Sequence, residues 1–208
     1  MDDVAPTVLP CGDRALLVEV TEGADVGALA AALERAPLPG QEELVPAART
    51  VLVRLDRAPT DADVAALRRV RPAAAAGRGP ARSVVLDVVF DGPDLAEVAE
   101  RTGRSVDALV DVLTGTRLTV AFAGFAPGFG YLSGLPADLH VPRRATPRTR
   151  VPAGSVGLAG PFAGAYPQAS PGGWQLVGRT DAVLFDVDRN PPALLAPGAR
   201  VRFRRAEC

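Results

Sequence analysis

The chain has 208 residues, 48% of them hydrophobic and 23% charged, with a formal net charge of -1. That length supports one large domain or two small ones with buried cores, and the near-zero charge offers no positive field to draw the protein to DNA or RNA. No apolar run reaches the ~20 residues needed to span a bilayer.

The start, MDDVAPTVLPCGD, is acidic and lacks a basic segment followed by an apolar core. It therefore reads as no signal peptide, and a cytoplasmic location is the expectation. A bridge between Cys11 and Cys208 would tie the chain ends, but a reducing cytoplasm favours two free thiols. Lysine is absent, which removes Schiff-base chemistry and the P-loop lysine. With no GxxxxGK[ST] or GxGxxG element, any nucleotide must bind in a non-standard way.

The first predicted element is a strand, ALLVEV, after a turn at Cys11-Gly12-Asp13. DVGALAAALERA follows as a helix, with Asp25 as N-cap and Val26, Leu29, Ala30 and Leu33 on one face. RTVLVRLD alternates Val51, Val53 and Leu55 with other residues and predicts a strand with one well-buried face. Thr60 caps the next helix, DADVAALRRV, and Asp63 completes a capping-box pattern. This is a small α+β unit over residues 1–78. RPAAAAGRGPA, from Arg71 to Ala81, carries no apolar periodicity and reads as a linker.

A second domain, residues 82–208, opens with the strand SVVLDVVF. A helix starts at Asp94 and stops at Gly103, and Ser105 caps another, SVDALVDVL. LTVAFAG predicts a strand, followed by short strands between turn signals: SVGLAG, WQLVG, AVLFDV and ARVRFR. That spacing predicts a β-barrel or a closed sandwich.

Three segments carry candidate chemistry. GFAPGFGYL holds Phe125, Phe129 and Tyr131, and Pro127-Gly128 suits a type II turn. The segment is either a pocket wall with backbone N–H groups facing a ligand or an aromatic-pinned loop plugging the barrel end. PRRATPRTRVPAGSVG places Arg143, Arg144, Arg148 and Arg150 within eight residues, with no acid among them. Guanidinium forks bind carboxylate or phosphate, but a solvated basic edge that blocks sheet pairing fits the pattern too. In an extended chain Arg144, Arg148 and Arg150 share one face and Arg143 takes the other. Ser155, after the turn at Gly154, either donates to an oxyanion or closes a local turn. SPGGWQLVGRT offers a second predicted type II turn at Pro171-Gly172, bare backbone at Gly173, and the sole tryptophan, Trp174. That indole is a pocket floor or a core anchor. Arg179 ends the following strand and can face a ligand or a partner chain. His140, the only histidine, is the sole candidate for a neutral-pH general base. One histidine and two distant cysteines do not make a zinc site, and no metal ligands are assigned.

GPDLAEVA, GFAPGFGYL, LPADLHVPRRATPR, VPAGSVGLAG, SPGGWQLVGRT and LAPGARVRF, in that order, resemble the family variously called allophanate hydrolase subunit 1, the Kip sporulation-kinase inhibitor and the B subunit of the bacterial ATP-dependent 5-oxoprolinase. GDRALLVEV and VPAARTVLVRLD extend the resemblance into the N-terminal half. It implies an α+β fold: a small N-terminal α+β domain, then a cyclophilin-like β-barrel. It also implies two partners, a homologous C subunit (of the allophanate hydrolase subunit 2 type) and an A subunit, which together with this chain cleave 5-oxo-L-proline to L-glutamate. ATP, with a divalent cation such as Mg, would be bound by the complex. On this basis the expected catalytic residues are His140, Arg148 and Ser155. The expected substrate-binding residues are Phe125, Gly128, Phe129, Tyr131 and Arg143, with Gly172, Gly173, Trp174 and Arg179. The other functions of the family are inhibition of a histidine kinase and amide chemistry of the allophanate hydrolase or urea carboxylase kind. Two features depart from the family pattern. Leu113 stands where members often carry histidine, and Phe162-Ala163 replaces a Gln-Thr pair.

Overall fold

The structure, a computed structural model, describes residues 6–20, 26–71 and 82–207. Asp25, residues 72–81 of the expected linker, and Cys208 lie outside the described residues. The chain divides into two compact units, Met1–Gly79 and Pro80–Cys208. Cys11 is exposed. No described helix is long and apolar enough to cross a membrane.

The first unit is a four-stranded antiparallel sheet with two helices. Strands β1 (Thr7–Pro10), β2 (Ala15–Glu19), β3 (Gln41–Pro46) and β4 (Thr50–Leu55) take the order β1-β2-β4-β3. Helix α1 (Val26–Arg35) buries Val26, Leu29, Ala30 and Leu33, as its 3.6-residue spacing predicts. These residues pack with Val51, Val53 and Leu55 in one apolar cluster. Sequence reading missed β1 and β3. β3 has no fully buried residue, so it carries no apolar alternation to be read.

Helix α2 (Asp61–Arg69) begins with the predicted capping box: Thr60 Oγ1 accepts from the Asp63 N–H, and the Asp63 carboxylate accepts from the Thr60 N–H. Asp63 is buried and receives both terminal nitrogens of Arg57, at 2.7 and 2.9 Å. That pairing holds its carboxyl well below the usual carboxylate range, against the opposing effect of burial. Thr60→Ala is expected to cost about 1 kcal/mol, read as faster amide hydrogen exchange in α2 than in α1.

The second unit is built on seven strands: β5 (Ser83–Val88), β6 (Leu118–Ala123), β7 (Gly130–Ser133), β9 (Ser155–Ala159), β10 (Phe162–Ala165), β12 (Gln175–Arg179) and β13 (Arg200–Arg205). Their order is β12-β9-β10-β7-β6-β13-β5. The two outermost strands meet where Val89 and Arg179 exchange backbone hydrogen bonds, each 2.9 Å. The sheet thus nearly closes into a barrel. A two-stranded ribbon, β8 (Arg148–Val151) with β11 (Ser170–Gly172), stands beside it. Helices α3 (Leu95–Arg101) and α4 (Val106–Gly115) join the barrel core through Leu95, Val98, Leu109, Val110 and Leu113. Ser105 Oγ accepts from the Ala108 N–H at the start of α4, and Gly103, at φ +65°, ends α3 as predicted.

Two expectations are corrected here. AVLFDV is not a strand: only Leu184 is buried, while Val183, Phe185 and Val187 are exposed. The segment makes a single bridge, Phe185 to Ala193. The side chains of a half-buried strand alternate between core and solvent, but here almost nothing turns inward. Pro171-Gly172 is not a type II turn but part of β11. Gly172 serves close packing instead: a Cβ there would lie 2.5 Å from the Tyr166 hydroxyl oxygen.

Candidate functional site

The turn in GFAPGFGYL has the predicted form. The Phe129 N–H donates to the Ala126 carbonyl at 2.9 Å, and Gly128 sits at φ +85°. Its missing side chain also makes room, since a Cβ would fall 2.7 Å from Phe185 Cβ. Phe125, at φ +67°, adopts a left-handed conformation and is 61% exposed. A bulky residue held there is strained, by roughly 1–3 kcal/mol.

Phe129 is the hub of an aromatic group. It meets Phe125, Tyr131, Tyr166 and Trp174 edge-on, with ring centroids 5.0 to 5.4 Å away. Tyr131 in turn stacks on Phe122 at 4.3 Å. Gly164 leaves the necessary space: a Cβ would sit 3.0 Å from Phe129 Cζ and 3.1 Å from Trp174 Cζ3. Phe162 packs edge-on against Phe122 and Tyr131, so the departure from the Gln-Thr pattern enlarges this aromatic group. Leu113 is fully buried in the barrel core and contributes packing.

The arginine segment is stitched to the tryptophan segment. The Arg144 N–H donates to the Gly173 carbonyl at 2.8 Å, Arg148 Nη1 reaches the Trp174 carbonyl at 3.5 Å, and Gln175 Nε2 donates to the Pro142 carbonyl at 3.2 Å. At the centre stands Asp94, the residue that opens α3. It is 3% exposed. Its Oδ1 accepts from Arg144 Nη1 at 2.9 Å and from Arg148 Nη2 at 2.7 Å, and its Oδ2 accepts from the Leu176 N–H at 2.7 Å. Burial, the largest influence, raises its carboxyl pKa, but hydrogen bonds from Arg148 and the Leu176 amide, with both guanidinium charges, outweigh it and leave the carboxyl below the usual range. The acid missing from the arginine segment comes from about fifty residues upstream. Sequence reading saw Asp94 only as a helix start, and it makes no side-chain cap there.

The structure thus brings Phe125, Gly128, Phe129, Tyr131, Arg143, Arg148, Gly172, Gly173 and Trp174 into one region. Tyr166, missed in the sequence, joins its aromatic and basic parts. Burial, the chief influence, raises the phenol pKa; Arg143, Arg148 and a hydrogen bond with the Trp174 backbone work against that rise. Its only signal was an aromatic residue before Pro167 at the end of β10. Arg143 is exposed, and no carboxylate pairs with it among the described residues. Ser155 is buried at the start of β9, paired in register with Arg179 of β12. Arg179 donates to Asp91 at 2.9 Å. His140 is exposed at the end of a 3-10 turn, Ala137–Leu139. Its Nε2 lies 3.2 Å from the Leu135 carbonyl; a carbonyl only accepts, so that nitrogen carries a proton and Nδ1 holds the lone pair of the neutral ring. No group of three or more His, Cys, Asp or Glu able to hold a metal ion occurs among the described residues.

Phe129, Tyr166 and Trp174 are buried together in an apolar cluster of their own, so the indole is a core anchor. Residues 6–195 match the family described as carboxyltransferase domain, subdomain C and D. The chain belongs to this family, in the branch formed by the B subunits of 5-oxoprolinase. The 5-oxoprolinase B subunit of Escherichia coli O157:H7 is 52% identical over 125 residues, 59% of this chain and 57% of that protein. That of Bacillus subtilis (strain 168) is 36% identical over 93% of this chain and 90% of its own length. The chain therefore spans little more than half of the first relative and nearly all of the second. Among solved structures, TTHA0988 superposes with a TM-score of 0.76 at 37% identity, covering 94% of this chain and 40% of that one. The Kluyveromyces lactis urea amidolyase shares the fold, with a TM-score of 0.78 at 22% identity over 99% of this chain and 15% of that one.

Proposed function

We propose that this chain is the B subunit of an ATP-dependent 5-oxoprolinase, acting with a homologous C subunit and an A subunit. The supporting observation is the likeness to the Bacillus subtilis B subunit, which runs through both units of the chain. The lactam of 5-oxoproline is stable and needs activation. ATP would transfer its γ-phosphoryl group to the lactam oxygen and release ADP; one water would add to the ring carbon and the C–N bond break with proton transfer to the nitrogen, leaving an acyl phosphate, and a second water would hydrolyse that acyl phosphate to glutamate and phosphate. The nucleotide and its Mg ion are assigned to the complex as a whole.

The chain's own residues divide into two roles. Asp94 spends the forks of Arg144 and Arg148 on holding the rim in place. Arg143 keeps its guanidinium for an anionic substrate group, where charge-assisted hydrogen bonds are strongest. The buried aromatic cluster around Phe129 and Trp174 makes the adjoining backbone rigid.

The test is reconstitution. Co-expressed with the A and C subunits, the chain is expected to release glutamate from 5-oxoproline only when ATP is present, and to release none alone. Co-purification with a histidine kinase in the absence of the C subunit, without lactam hydrolysis, would replace this function with kinase inhibition. Turnover of allophanate or urea instead would move the chain to that chemistry.

A further inference from the structure

The outer face of the barrel carries a row of arginines on β13. Burial alternates along this strand: Val201 and Phe203 enter the core, and Arg200, Arg202 and Arg204 stay outside. β5 runs parallel beside it and sets Ser83, Val85 and Asp87 opposite those three arginines. The third pair is neutral, since Arg204 Nη2 donates to Asp87 Oδ2 at 2.7 Å. A serine and an exposed valine stand where the other two arginines would need an acid.

The opposite neighbour adds charge instead of removing it. β6 pairs antiparallel with β13, Arg200 to Thr119 and Val201 to Leu118. Continued by one residue, that register sets Arg117, which is exposed, opposite Arg202. The Arg200 N–H also donates to the carbonyl of Arg82, a fourth exposed arginine. Among the described residues no carboxylate pairs with Arg82, Arg117, Arg200 or Arg202. Like charges facing each other across neighbouring strands weaken a sheet, and no described carboxylate offsets that cost.

The spacing narrows the chemistry of what would offset it. Side chains on one face of a strand recur every second residue, roughly 7 Å apart. Alternate carboxylates of an extended peptide have the same repeat, and each can accept two parallel hydrogen bonds from a guanidinium fork. Nucleic acid is drawn by a broad positive field, which a chain of net charge -1 does not offer.

We propose that the β5–β13–β6 face docks an extended acidic segment of a partner protein, with a carboxylate at every second residue lying along Arg200 and Arg202 and with Arg82 and Arg117 supplying charge at its flanks. This surface does not depend on the function proposed above.

Fluorescence anisotropy on the full chain tests this with two labelled peptides of one composition: Glu-Thr-Glu-Thr-Glu-Thr-Glu and its block isomer Glu-Glu-Glu-Glu-Thr-Thr-Thr. In an extended conformation the first puts every carboxylate on one side, and the second divides them between two. The alternating peptide is expected to bind about fivefold more tightly than the isomer at low salt. Arg200→Gln combined with Arg202→Gln is expected to weaken it by about tenfold, as loss of two exposed ion pairs implies, and to erase the preference. Both positions are exposed, so the fold is kept. Arg68→Gln, at an exposed position on α2, is expected to change neither value. Equal binding of the two peptides, binding of neither, or unchanged affinity in the double variant overturns the proposal. Tighter binding to a single-stranded DNA of like charge overturns it in favour of a nucleic-acid surface, and tighter binding to phosphatidylserine vesicles in favour of a membrane surface.

Discussion

Asp94→Ala is expected to destabilise the barrel unit by about 3 kcal/mol. The substitution leaves two guanidinium groups facing each other and the Leu176 N–H without its acceptor. Asn in place of Ala is expected to recover part of the loss, because it still accepts one hydrogen bond without the charge. The measurement is urea unfolding followed by fluorescence of Trp174. It is the only tryptophan and lies in the second unit, so its signal reports that unit. The same carboxyl sets an acid limit. Its folded pKa lies below the ordinary value of 3.8, so its contribution is full above that value and drains away as pH falls through the folded one. The Asp94→Ala protein is therefore expected to lose less stability than the parent between pH 5 and the acid transition, a window set by the usual carboxylate range of about 4. An unfolding midpoint for Asp94→Ala equal to the parent's at pH 7 would show the clamp to be ornamental.

The other large effect is expected at Gly154. Its φ is +79°, and a Cβ would fall 2.3 Å from the Thr180 carbonyl oxygen. The same residue donates to the Tyr166 carbonyl at 2.7 Å and accepts from the Thr180 N–H at 2.9 Å. Gly154→Ala meets both a left-handed backbone penalty and a collision with backbone that cannot move freely. Together these cost about 3 kcal/mol. Gly160→Ala separates the two effects: φ is +53°, but nothing lies within 4 Å of the added carbon. It is expected to cost about 1 kcal/mol. Near-ultraviolet circular dichroism should change in the Gly154 variant and not in the Gly160 one, because Tyr166 is tied to Gly154. Equal stabilities for the two variants would mean that the contact with Thr180 is relieved at no cost.

What the sequence made legible is local. Thr60 and Asp63 stand three residues apart and form the box that their spacing predicts. Ser105, Gly103 and the Pro127-Gly128 turn likewise depend on neighbours within one helical turn or one bend. The expected aromatic and arginine segments also converge. What stayed hidden is the reason they converge. Asp94 lies 50 and 54 residues from its two arginines, and no spacing rule connects them. The same blindness to distance produced the error at Pro171-Gly172, where the glycine answers to Tyr166 rather than to its own turn. Gln175 was passed over because an uncharged amide in a strand gives no signal until its bond to the Pro142 carbonyl, 33 residues away, is seen.

Strand β13 lies between β5, with which it runs parallel over six paired residues, and β6. It is also the last strand in chain order. During synthesis the barrel therefore cannot zip up until residue 205 has left the ribosome, whereas the described strands of the first unit are complete by residue 55. Non-local pairing of this sort folds slowly, so the nascent second unit is the span that most needs shelter by a chaperone, and a premature stop before Arg200 would release an unclosed, sticky product.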